Sequence, residues 1–203
     1  MTLEIKISKK LIAYKSSYKF LKKRVESVKI QKEKDLLWIL EHPLTFTAGI
    51  RSEKKEILDK KIKIIETNRG GKITLHNPGQ KIIYFVLNLN NKKKDIRNLI
   101  NQIEKSIIEF LRIYNIKSYS DKKNIGIWVN GRKIAAIGIK VSQWVAYHGC
   151  SININNDLDC YKKIVPCGLD NDKITSVENE SKEKLINIEK NLKKVFIKNL
   201  KNI

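Results

Sequence analysis

The dipeptide Asn130-Gly131, set between the apolar runs Gly126-Ile127-Trp128-Val129 and 133–141, constrains the fold of this chain more than any other feature. A two-residue hairpin of type I′ needs positive φ at both central positions, and Asn followed by Gly supplies it. The two runs are therefore expected to form an antiparallel pair, with Lys133 opening the second strand. Leu36-Leu37-Trp38-Ile39-Leu40, stopped by Glu41-His42-Pro43, reads as a strand buried on both faces. Residues 62–65, 82–89 and 145–154 read as further strands. Helical spacing marks Tyr14, Tyr18, Leu21, Val25 and Val28, then Ile96, Leu99, Ile100, Ile103, Ile107, Phe110 and Leu111 with Asp95 as N-cap. A third stripe, Leu185, Ile188, Leu192, Phe196 and Leu200, predicts a closing helix.

Strands and helices thus mix without strict alternation and without an internal repeat, so one α+β or α/β domain is expected. A chain of 203 residues with 41% apolar content has enough material for its core. No apolar run reaches the length of a membrane span, and Met1 to Lys6 lack a signal-peptide core, so a cytoplasmic protein is expected. Cys150, Cys160 and Cys167 form neither an even disulfide set nor a C-x-x-C pair, which fits a reducing compartment. The net charge of +21 invites a nucleic-acid reading, but the lysines are scattered and few aromatics stand between them as stacking platforms. No specific nucleic-acid partner is expected. A basic surface would instead attract an acidic protein.

Four segments carry chemical interest. In Val165-Pro166-Cys167-Gly168-Leu169, proline fixes the approach to the thiol and glycine removes bulk after it, a corner suited to a nucleophile. A bare tripeptide of this kind is a weak signal, because most free cysteines are small buried hydrophobes. Lys133, followed by Ile134, Ala135, Ala136 and Gly138, is an ammonium among apolar neighbours, partly desolvated and readied to exchange protons. The polar stretch 67–80 holds Arg69-Gly70-Gly71 and His76-Asn77-Pro78-Gly79-Gln80; its glycines permit close backbone approach to a ligand, and it matches no phosphate-loop pattern. In Tyr147-His148-Gly149-Cys150, two donors are too few for a metal, and His148 reads as a hydrogen-bonded structural histidine. No metal site is expected.

Taken in order, Leu40-Glu41-His42-Pro43, Arg69-Gly70-Gly71, His76-x-Pro78-Gly79-Gln80, Gly131-Arg132-Lys133-Ile134-Ala135, Tyr147-His148-Gly149, Asn153-Ile154-Asn155, Pro166-Cys167-Gly168 and Thr175-Ser176 resemble the lipoyl(octanoyl) transferase family. The resemblance implies a mixed sheet packed by helices, similar to the catalytic domain of lipoate and biotin protein ligases, with residues 1–203 as a single octanoyltransferase domain. It implies transfer of an octanoyl group from the phosphopantetheine thioester of acyl carrier protein to a lysine of lipoyl domains. Those acceptors belong to 2-oxoacid dehydrogenase complexes and the glycine cleavage H protein. By match to the motif, Cys167 would be the nucleophile and Lys133 the residue that favours its thiolate. Arg69, Gly70, Gly71, Lys72, Ile73, Thr74, Leu75 and His76, then Ala136, Ile137 and Gly138, then Gly149, Cys150 and Ser151, match the substrate-contacting segments. No cofactor and a monomeric enzyme are expected. Asn77 replaces the glycine usual after the loop histidine; Asn tolerates positive φ better than other non-glycine residues, so the turn is expected to survive. Cys150 stands where an apolar residue is usual, as a core thiol or a second oxidisable one. The competing reading is an ATP-dependent lipoate or biotin ligase, which would need ATP and magnesium but no cysteine nucleophile.

Overall fold

The computed structural model describes residues 3–90, 92–122, 124–165 and 173–203. In chain order they form β1 (Leu3–Ile7), α1 (Tyr14–Lys29), β2 (Asp35–Leu40), β3 (Thr45–Ala48), β4 (Ile64–Glu66), β5 (Thr74–His76), β6 (Gln80–Asn88) and α2 (Ile96–Arg112). β7 (Tyr119–Ser120), β8 (Ile127–Val129), β9 (Arg132–Ser142), β10 (Val145–Asn153), α3 (Val177–Glu180) and α4 (Ile188–Leu200) complete the fold. Among these residues the strands make two sheets. Seven strands lie in the order β1-β2-β6-β10-β9-β8-β7, parallel only between β1 and β2, and three more lie in the order β4-β3-β5. The architecture is the mixed α/β domain that the sequence pattern calls for.

The Asn130-Gly131 turn forms as its chemistry requires, with φ of 49° and 76° and Val129 facing Arg132 across it. β2 is buried from Leu36 to Leu40 because both of its faces are covered. On one face Leu36, Trp38, Leu40, Ile82, Tyr84 and Val86 meet Leu21, Val25 and Val28 of α1. On the other, Leu37, Ile39, Ile83, Phe85 and Leu87 meet the apolar stripes of α2 and α4. Each helix thus covers the residues of one parity, as the two-residue repeat of a strand demands. The Asp95 carboxylate accepts from the Asn98 N–H at 2.9 Å and caps α2.

The structure departs from the pattern in the small sheet. β4 begins at Ile64 rather than at residue 62, because Asp59 draws residues 59–62 into a turn: its carboxylate accepts from the Lys61 N–H and its carbonyl from the Ile62 N–H. β3 and β5 are too short to show periodicity, and β5 lies inside the polar, glycine-containing stretch 67–80, where no strand was expected. Asn77 does not take positive φ; Gly79 does, at 85°. The Asn77 side chain is buried instead, donating to the Asp157 carbonyl at 2.8 Å and accepting from Asn156 at 3.0 Å. Among the described residues no helix is long and apolar enough to cross a membrane.

Candidate active site

A cavity of about 390 Å³ opens where the 67–76 segment crosses β9 and β10. Two of the segments singled out in the sequence are register partners there. Ala136 faces Ser151, Ile137 faces Cys150 and Gly138 faces Gly149 across the antiparallel β9/β10 ladder, and all six line the cavity. Gly149 has no alternative residue, because a Cβ at that position would stand 1.8 Å from the Ile83 carbonyl oxygen on β6.

The Arg69-Gly70-Gly71 turn is fastened over this ladder from three sides. The Gly70 N–H donates to the Ile139 carbonyl of β9 at 3.2 Å, and the Gly70 backbone lies so close to Gly138 that a Cβ there would meet its oxygen at 3.1 Å. The Arg69 guanidinium donates to the carbonyl and hydroxyl oxygens of buried Thr47, each at 2.9 Å, and to the Gly70 carbonyl at 3.1 Å. Asn68 accepts from His148 Nε2 at 2.8 Å and donates to the Tyr147 hydroxyl at 2.8 Å. Arg69 therefore holds the turn in shape. Beyond it the chain alternates: Thr74 and His76 line the cavity, whereas Ile73 and Leu75 pack with Phe46, Tyr161 and Ile164 on the opposite side. Lys72 is at the cavity too, but its ammonium is paired with Glu56 at 2.7 Å, and that partnership raises its pKa.

Lys133 sits near the start of β9, only 6% exposed, and lines the same cavity. Its Nζ lies 5.5 Å from the Trp128 ring centre, and its stem runs against Gly126, where a Cβ would meet the Lys133 Cε at 2.4 Å. Among the described residues no carboxylate or hydrogen-bond acceptor pairs with this ammonium. A buried cation left so is chemically available. Cys167 lies outside the described residues. The chain that follows it is tied to Lys133: Ile174 bridges to Lys133, and the Thr175 N–H donates to the Lys133 carbonyl at 3.0 Å. The chain before it is tied down by the Val165 N–H, which donates to the Glu56 carbonyl at 2.8 Å. Cys150 is buried in the core, and desolvation pushes its thiol well above the usual range. It is a core thiol with no claim to nucleophilicity.

Sequence reasoning missed the aromatic floor of the site. Tyr14, read only as part of a helical stripe, lines the cavity with Tyr84, and its ring stacks on His76 at 5.7 Å. All three histidines of the chain belong to this cluster. Burial pushes His42 down to about 4; burial, then the neighbouring His42 and Arg69 charges, push His76 down to about 3. Burial, followed by Arg69 and nearby lysines, takes His148 to about 3 as well. All three are neutral at pH 7. His148 is the hydrogen-bonded histidine its sequence context suggested, but its backbone is unusual. Alternation assigns position 148 to the face of Ala146, Cys150 and Ile152, yet a φ of 69° turns the ring toward Tyr147 and Tyr18 of α1. Nothing in a hydrophobicity pattern signals such a reversal. Arg51, Lys122 and Asn124 also line the cavity and stood out in no motif.

Residues 14–201 match the lipoyl protein ligase A/B catalytic domain, and the chain belongs to that family. It is 39% identical to an octanoyltransferase of Wolbachia sp. subsp. Brugia malayi (strain TRS), over 95% of this chain and 97% of the relative. It is 41% identical to an octanoyltransferase of Wolbachia pipientis wMel, with the same coverage. Its fold is similar to that of a bi-partite lipoate protein ligase from Thermoplasma acidophilum, at a TM-score of 0.77 and 14% identity, covering 99% of this chain and 84% of that one. Within the family the sequence relatives are octanoyltransferases, and the activity that goes with them is octanoyl transfer in protein lipoylation.

Proposed function

We propose that residues 1–203 act as one catalytic domain that moves an octanoyl group from octanoyl-acyl carrier protein to a lysine of a lipoyl domain, through a thioester on Cys167. The observation that carries this reading is the buried Lys133 ammonium, without an acceptor among the described residues, on a cavity shared with the three glycine-containing segments. In the first half-reaction the Cys167 thiolate attacks the octanoyl carbonyl. The carbonyl carbon gains a bond to the Cys167 sulfur and loses its bond to the phosphopantetheine sulfur, which leaves as the thiol after taking a proton. In the second, the acceptor ε-amine attacks the octanoyl-Cys167 carbonyl, the carbon–sulfur bond breaks, and an amide remains. As the ammonium, Lys133 favours the Cys167 thiolate and gives its proton to the leaving phosphopantetheine sulfur; as the neutral amine so formed, it takes the proton of the acceptor amine in the second step while Cys167 leaves as the thiolate, which restores the starting pair.

Exchange of one thioester for another is close to neutral and amide formation is downhill, so the reaction calls for no nucleotide and no other cofactor. A cavity of this size is in the range of small-molecule sites, roughly 300–1,000 Å³. Burial of about six methylenes at about 0.8 kcal/mol each contributes about 5 kcal/mol toward holding the acyl chain. The chain works as a monomer in the cytoplasm, with an acidic carrier protein as donor and the lipoyl domains of 2-oxoacid dehydrogenase complexes and the glycine cleavage H protein as acceptors. The test is transfer from octanoyl-acyl carrier protein to a lipoyl domain in ATP-free buffer. Transfer without ATP, slowed at least tenfold in Lys133→Ala, supports the reading. Absolute dependence on ATP and magnesium, with free octanoate as donor, would establish the ligase alternative.

A further inference from the structure

His76 is joined to the Lys133 strand by a run of buried side chains whose direction is set at one end. The Thr175 carbonyl is an acceptor only, so the Asn153 amide that meets it at 3.0 Å presents its NH₂. Asn153 Oδ1 then faces back toward its cross-strand partner Gln80, which must present its own NH₂; that group donates to Asn153 Oδ1 at 2.9 Å and to the Tyr161 hydroxyl at 3.0 Å. The Tyr161 hydroxyl in turn donates to Asn153 Oδ1 at 3.3 Å. Gln80 Oε1 is left facing His76 Nδ1 at 2.7 Å and accepts a hydrogen bond from the Nδ1–H. All these groups are more than nine-tenths buried. At the far end the Thr175 N–H donates to the Lys133 carbonyl.

We propose that Gln80 and Asn153 are positioning residues, a relay that keeps the His76 proton on Nδ1 and pins Thr175 against the Lys133 strand with the same set of hydrogen bonds. His76 Nε2 is thereby an acceptor at the cavity. It serves no oxyanion, which needs a donor; the ligand group it meets carries an N–H, such as the amine or amide of a substrate. This last identification rests on the acyl-transfer reading, whereas the relay itself does not. Gln80, Asn153 and Thr175 belong to motif blocks to which the catalytic scheme assigns no step, and the relay accounts for all three.

The relay is tested in the substrate-free protein by ¹⁵N NMR of histidine-labelled protein and by amide exchange at Thr175. In the unaltered protein His76 is expected to be neutral with its proton on Nδ1; a proton on Nε2 overturns the proposal. Gln80→Leu removes the acceptor, and the proton is expected to move to Nε2; its retention on Nδ1 overturns the relay. Gln80→Glu separates the two ends. A carboxylate still accepts from Nδ1, but it cannot donate to Asn153, so the His76 proton stays while Thr175 exchange rises about tenfold. Unchanged exchange overturns the link to Thr175. Should Gln80→Leu fail to fold, the unaltered protein and Gln80→Glu still decide the matter. ATP-free transfer in the unaltered protein, measured separately, tells failure of the relay from failure of the acyl-transfer reading.

Discussion

The two sides of the cavity are built by different means. The β9/β10 side is held by the main chain: Ala136, Ile137 and Gly138 are placed by ladder register against Ser151, Cys150 and Gly149. The 67–76 side adds to its main-chain bonds a clasp of side chains, with Arg69 on Thr47, Asn68 on His148 and His76 on Gln80. A ladder tolerates most side chains and fails only where backbones approach too closely. A side-chain clasp fails at each of its members, by smaller amounts.

The largest effect is therefore expected on the ladder side. Gly149→Ala drives a Cβ into the Ile83 carbonyl, separating β10 from β6, and is expected to cost on the order of 3 kcal/mol or more in urea denaturation. A loss under about 1 kcal/mol would show that the ladder yields more readily than the clasp and would reverse the comparison.

The clasp side answers to pH. His42, His76 and His148 have folded pKa values near 4, 3 and 3, below the ordinary 6.5, so each is neutral in the fold and protonates more readily when unfolded. Stability is thus fully present above about pH 6.5 and is lost as pH falls through the window down to the folded values. Each histidine contributes at most about 1.4 kcal/mol per pH unit. Urea midpoints at pH 7 and pH 5.5 measure the slope, and His148→Gln should reduce it by about a third. A flat profile would mean that the cluster is open to water.

Smaller changes sharpen the picture. Arg69→Lys keeps the charge but loses the fork that grips two oxygens of Thr47. It is expected to lower kcat/KM for octanoyl transfer about tenfold or more at a stability cost of about 1–2 kcal/mol. Equal activity would make Arg69 a bare charge. Asn68→Ala cuts the turn from His148 and Tyr147 and should cost about 1 kcal/mol, mainly as a raised KM for the acyl donor.

The same division governs what could be read in advance. Hairpin, buried strands and amphipathic helices were legible because two-residue and 3.6-residue periods follow from which face is buried, and the Asn130-Gly131 turn has its own chemistry. The ladder segments were legible as motifs, and their meeting followed once β9 and β10 paired. The aromatic floor was not legible. Tyr14 and Tyr84 come from elements distant in sequence, and the left-handed backbone at His148 breaks the alternation on which strand reading depends. Short β3 and β5 carry too few residues to show a period. Lys133 follows from its motif, but that no acceptor among the described residues reaches its ammonium is a three-dimensional fact.

The central claim is a covalent one, and intact mass spectrometry tests it most directly. After incubation with octanoyl-acyl carrier protein in the absence of ATP, the protein should gain one octanoyl group. That group should map to Cys167 rather than Cys150 or Cys160, be released by hydroxylamine, and be absent from Cys167→Ser. No adduct from a carrier that is competent as donor, or transfer that survives in Cys167→Ser, contradicts the account.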